Sequence, residues 1–148
     1  MSLGARVRVL VAGISVLALA CASACGEARD PFSRRVSFES IERSFTDEGL
    51  RICSSVSKNG GANQAVASRE YRVALDCSTT DDAALVVDEF KQAEDRDAAA
   101  RGFEVQARPR AGGAVYTLGR FAVLILPATT DDNIFKRTNA ALKKLSAD

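Results

Sequence analysis

The stretch AVYTLGRFAVLILP, Ala114 to Pro127, decides the fold. Ala114 to Leu118 and Phe121 to Leu126 read as two strands of a hairpin. Gly119-Arg120 between them is a two-residue turn with glycine first, the order a type II′ turn prefers because its first central residue has a positive φ. Phe121-Ala-Val-Leu-Ile-Leu126 is apolar on both faces, which places it in the centre of a sheet, and Pro127 stops it.

Upstream, the segment Asp81 to Gly102 admits two readings. It can be one long helix, but Ala84 to Phe90 is rich in β-branched and apolar residues directly after the turn-like Ser78-Thr79-Thr80-Asp81-Asp82, which favours a strand over 84–90. A helix then runs from about Lys91 to Arg101, with Gly102 placed to close it. Tyr71 to Cys77 alternates as a strand, and so does Leu50 to Ser54, while Lys58 to Ser68 (KNGGANQAVAS) has the composition of a long loop. Phe38, Ile41 and Phe45 form one helical stripe between Ser37 and Glu48, ended by Gly49. Arg108 to Gly113 is a loop. After Pro127, Thr130 caps a last helix with Asp131 and Asp132 in its first turn and Lys143 and Lys144 in its last, both favoured by the helix dipole. Ile134, Ala141, Leu142 and Leu145 give that helix its buried face.

The order α-β-β-β-α-β-β-α predicts an α+β fold, an antiparallel sheet of about five strands packed against about three helices, in a single domain over residues 37–148. That domain contains two cysteines, Cys53 and Cys77, whose pairing is expected across neighbouring strands in an oxidising compartment. Such a bridge constrains the unfolded chain by about 3.5 kcal/mol on the loop-closure relation. A redox-active pair would call for CxxC spacing, which is absent.

The remaining cysteines, Cys21 and Cys25, follow a leader. Arg6 and Arg8 form a basic n-region, and Val9 to Ala20 is a charge-free apolar run, shorter than the roughly 20 residues a membrane span requires. Residues 1–24 therefore read as a signal peptide and 25–36 as a tether. Ala18-Leu19-Ala20-Cys21 and Ala22-Ser23-Ala24-Cys25 both resemble the lipobox of bacterial lipoprotein precursors, small residues before a cysteine that becomes diacylglycerylated and N-terminal after cleavage. Cys25 is the better match, with Ser23 two residues before it and the polar run from Gly26 after it; Cys21 is the alternative. Both have Ala where that family's pattern has Leu three residues before the cysteine, and Ala22-Ser23-Ala24 also reads as an ordinary cleavage site that would release a secreted soluble protein.

Composition narrows the function classes. The 148 residues carry 20 Lys+Arg, 19 Asp+Glu and no histidine. A net charge near zero offers no uniform field for nucleic acid, and the lack of histidine removes the usual general base and the commonest metal ligand. No cofactor or metal is expected, and an enzyme is disfavoured. The carboxylate pairs Asp81/Asp82 and Asp131/Asp132 suit a turn and a helix start better than a calcium loop, since no spaced oxygen-ligand pattern surrounds them. Ser54, Ser55 and Lys58 lie in too polar a stretch to suggest a Ser/Lys dyad. Arg101, Arg108 and Arg110 form a small basic cluster near a Gly-rich loop, the candidate contact for an anion or an acidic partner.

Beyond the leader, Phe38-x-x-Ile41 with Phe45, Gly49-Leu50-x-x-Cys53, Cys77, Arg96-Asp97-Ala98-Ala99 and Val115 to Gly119 resemble small lipoproteins of Ala/Arg-rich bacterial proteomes, especially actinobacteria. The resemblance implies a location and brings no catalytic residue with it. The expectation is a non-enzymatic, lipid-anchored protein on the outer face of the cell membrane that binds an envelope protein or a small ligand. A secreted binding protein and a passive structural partner of a membrane complex are the alternatives.

Overall fold

A computed structural model describes residues 31–60, 64–110, 113–127 and 132–147. The leader, Cys21, Cys25, Thr130 and Asp131 lie outside them. A 3₁₀ turn at Pro31–Ser33 precedes α1 (Phe38–Asp47), β1 (Arg51–Lys58), β2 (Ala67–Ala74), β3 (Ala83–Glu89), α2 (Ala93–Ala107), β4 (Ala114–Leu118), β5 (Phe121–Pro127) and α3 (Asp132–Ala147). All neighbouring strands are antiparallel, in the order β1-β2-β3-β5-β4. The predicted α+β order, the five-stranded sheet, the three helices and the Cys53–Cys77 bridge are all present. The expected strand over 84–90 is present as β3, Ala83–Glu89, one residue earlier and with Phe90 outside it; it is not part of a longer helix, because β3 pairs on both sides, with β2 and with β5.

Alternation along the strands sorts side chains to two faces. Tyr71, Val73, Leu85, Val87, Phe121, Val123 and Ile125 face α1 and α3, meeting Phe38, Ile41, Phe45, Ile134 and Leu142 in the larger core. Ala122 and Leu124 face the other way and pack under Ala99, Ala100, Phe103 and Ala107 of α2. The strand predicted as central thus lies between a two-helix layer and a one-helix layer.

Local chemistry explains most element ends. Ser37 caps α1, its hydroxyl accepting from the Ser40 N–H at 3.2 Å while the Ser40 hydroxyl accepts from the Ser37 N–H at 2.9 Å. Gly49, at φ 74°, follows the end of that helix. In the β4–β5 turn Gly119 has φ 56° while Arg120 is not in the positive-φ region, as a type II′ turn requires.

Three boundaries differ from the sequence expectation. The second helix does not stop at Gly102 but continues to Ala107. Gly102 is exposed and costs the helix roughly 1 kcal/mol relative to alanine, yet Phe103 and Ala107 beyond it are buried on the sheet, and their burial outweighs that cost. The first strand extends past Ser54 to Lys58, and the second begins at Ala67, so part of the expected loop is strand. Cross-strand pairs such as Val56 with Glu70 supply this pairing in a segment without apolar alternation. The second strand ends at Ala74, so Cys77 sits in the following turn rather than on a strand facing Cys53.

Gly119 also makes a close approach. A Cβ at this position would stand 2.5 Å from the Arg34 carbonyl oxygen, in a backbone conformation that disfavours a side chain. Gly119→Ala is therefore expected to lower stability by about 1–3 kcal/mol, read as a lower urea midpoint with an unchanged slope. A midpoint within error of the parent would show that the turn and the 34–36 segment do not meet as described.

Candidate functional site

Four groupings of polar side chains carry the chemistry of the described residues. The first lies beneath α1. The Glu42 carboxylate accepts from Arg69 Nη1 at 2.8 Å and from the Tyr71 hydroxyl at 2.9 Å, and the Arg69 guanidinium lies 4.3 Å from the Phe38 ring centroid. Burial, and then the hydrogen bond to Glu42, push the Tyr71 phenol well above its ordinary range. This grouping is closed by its own partners.

The second surrounds the disulfide. Cys53 lies where the β1–β2 register shifts, between Ile52 and Ser54, and bridges to Cys77 with 5.2 Å between Cα atoms. Asp76 holds the turn at Cys77 by accepting from the Ser78 N–H at 3.0 Å, the first cause of its lowered pKa. A pocket of about 300 Å³ beside the bridge is lined by Ser54, Arg72, Thr79, Thr80 and Asp82. Asp82 is buried and its carboxylate is engaged by Arg72, so this member of the Asp81/Asp82 pair serves an ion pair. Lys58 pairs with Glu70, four residues along the strand from Ser54 and about 13 Å away by strand rise, so no Ser/Lys dyad is assembled.

The third grouping is the predicted basic cluster. Arg101, Arg108 and Arg110 are all exposed. Arg101 on α2 and Arg108 at its C-cap are seven residues apart and so share a face, with Glu104 spaced three and four residues from them. A shallow groove of about 350 Å³ is lined by Glu104, Ala107, Arg108 and Gly113 to Val115, but by neither Arg101 nor Arg110. The three cations are not gathered into one site.

The fourth was read from sequence only as tether. Residues 32–36 are fastened to the domain: Arg34 donates to the Leu145 carbonyl at 3.3 Å and to that of Ser146, and Val36 packs on the larger core. The Phe32 ring lies 5.3 Å from the Arg96 guanidinium and 6.0 Å from that of Arg120. Arg96, itself buried, donates to the Gly119 carbonyl at 2.5 Å and to Asp97 at 2.8 Å. Between these elements opens a cleft of about 430 Å³ lined by Phe32, Arg34, Arg35, Glu89 and Arg120, among others. The adjacent Arg34-Arg35 was legible in the sequence. Their meeting with Arg120, 85 residues on, was not, because it depends on where the β4–β5 turn lies.

Among the described residues no helix is long and apolar enough to cross a membrane, and no group of three or more acidic or cysteine side chains is placed to hold a metal ion. Comparison with known family models, curated proteins and solved structures finds no match.

Two outcomes test this chemistry. Tyr71 and Tyr116, raised by burial, and Lys144, raised first by its hydrogen bond to Glu48, all keep in the folded state a proton that the unfolded chain releases near pH 10. Their stabilisation is complete below that pH and is lost as pH rises through it. With no histidine to titrate, stability should be level between about pH 6 and 9 and fall above about pH 10. Tyr71→Phe should cost about 1–2 kcal/mol at pH 7 and flatten the alkaline fall; an unchanged fall would contradict the burial of the Tyr71 hydroxyl against Glu42. Separately, reduction of Cys53–Cys77 should cost about 3.5 kcal/mol in urea unfolding, and a cost below about 1 kcal/mol would show that the bridge constrains little.

Proposed function

We propose that this chain is a lipid-anchored cell-envelope protein, acylated on Cys25, whose domain is a non-enzymatic binding or interaction module outside the cell membrane. The observation that carries this reading is the partition of the four cysteines. Cys53 and Cys77, in the folded domain, are bridged, while Cys21 and Cys25 both stand at the end of the apolar leader run. The bridge suits an oxidising compartment, and a cysteine directly behind a leader and small residues suits acylation. With two or three acyl chains, at ~0.8 kcal/mol per buried CH₂, such an anchor holds stably.

The polar groupings support a binding role over catalysis. The Glu42 and Asp82 carboxylates are each engaged by an arginine, in ion pairs that join elements of the fold. The basic residues Arg101, Arg108 and Arg110 remain a candidate partner contact, spread over one edge of α2 and its following turn.

The test is an intact mass of the protein from its native membrane fraction, before and after reduction. The expected species begins at Cys25, is heavier by its acyl chains and gains two protons on reduction, and Cys25→Ser removes it from the membrane fraction. A species beginning at Cys21 would move the anchor to the alternative cysteine. A soluble, unacylated chain would overturn the anchor and favour a secreted binding protein.

A further inference from the structure

We propose that the cleft where the tether joins the domain is a docking site for anionic phospholipid headgroups, with Arg35 and Arg120 as the contacting cations and Phe32 as the aromatic contact at the interface. The inference rests on the lipid-anchor reading and adds to it an orientation of the domain. Five residues separate Cys25 from Pro31, six steps along the chain, so a chain acylated at Cys25 holds the cleft within about 21 Å of the membrane even when fully extended. The segment that follows is fastened to the domain through Arg34, Phe32 and Val36. The end of the domain nearest the membrane is therefore fixed by the structure: it is the end that carries the β4–β5 turn.

The chemistry of that end matches a sheet of phosphates. Three guanidiniums, those of Arg34, Arg35 and Arg120, line the cleft with one carboxylate, Glu89. Arg34 is occupied with the carbonyls that end α3, but Arg35 and Arg120 are exposed and form no ion pair among the described residues. Guanidinium forks suit phosphate oxygens, and an apolar ring beside them suits the boundary between headgroups and acyl chains. Attraction of this kind is screened beyond about 8 Å at physiological salt, so it acts only on a face that the tether already holds close.

The chain has no tryptophan, so Phe32→Trp supplies a single fluorescent reporter in the cleft. The acylated full-length protein, its acylation verified by mass, is reconstituted into vesicles of phosphatidylcholine alone or with a third phosphatidylglycerol, each carrying brominated chains. In the anionic vesicles the Phe32→Trp reporter should shift to the blue and be quenched. Both effects should vanish in 0.5 M salt and fall at least about threefold on adding Arg35→Glu and Arg120→Glu, with the protein still anchored. Equal emission and quenching in neutral and anionic vesicles, indifferent to salt, would overturn the docking site and leave the anchor standing. A chain found to carry no acyl group would overturn the anchor, and the docking site with it. The salt comparison needs no charge reversal, so a variant that failed to fold would not blunt the test.

Discussion

The structure depends on β5 being apolar on both faces. Phe121, Val123 and Ile125 on one side and Ala122 and Leu124 on the other are all buried, each of the larger ones contributing roughly 1.5–3 kcal/mol. A strand like this cannot lie at an edge or face water, so the sheet must be covered twice. On one side α1 and α3 supply large side chains, with Phe38 meeting Phe121 edge-on at 5.0 Å between centroids. On the other, α2 approaches with Ala99, Ala100 and Ala107 around Phe103, small residues that let a helix lie close to the strands. The position of β5 also sets that of the β4–β5 turn, and the turn receives the 32–36 segment through Gly119 and Arg96. Core packing and the place where the tether leaves are thus linked.

What the sequence disclosed follows from how local each signal is. The hairpin and the stripe of α1 are written within a few neighbouring residues, and they stand as expected. The length of α2 was not legible, because Gly102 is a local stop signal that burial of Phe103 and Ala107 overrides. The second half of β1 was missed for a similar reason: Ser54 to Lys58 has no apolar alternation and is held in strand by pairing with β2. Thr138 on the buried face of α3 was also unreadable as core, since its hydroxyl is satisfied by donating to the Ile134 carbonyl at 2.8 Å.

The candidate sites divide along the same line. The pairing of Cys53 with Cys77 needed only counting and compartment, so it was legible, although the bridge joins a bulge to a turn rather than two strands. The basic cluster of Arg101, Arg108 and Arg110 was grouped by nearness in sequence, and the helix spreads it along one edge. The Phe32–Arg120 cleft has the opposite character: its parts are distant in sequence and meet only in the fold.

We propose that this domain works outside the cell membrane, held to it by its N-terminus. The most direct measurement is labelling of intact spheroplasts with a membrane-impermeant amine reagent, followed by mapping of the exposed lysines Lys91 and Lys136. Both should be labelled in intact spheroplasts to the same extent as after lysis. Labelling that appears only after lysis would place the domain inside and contradict it.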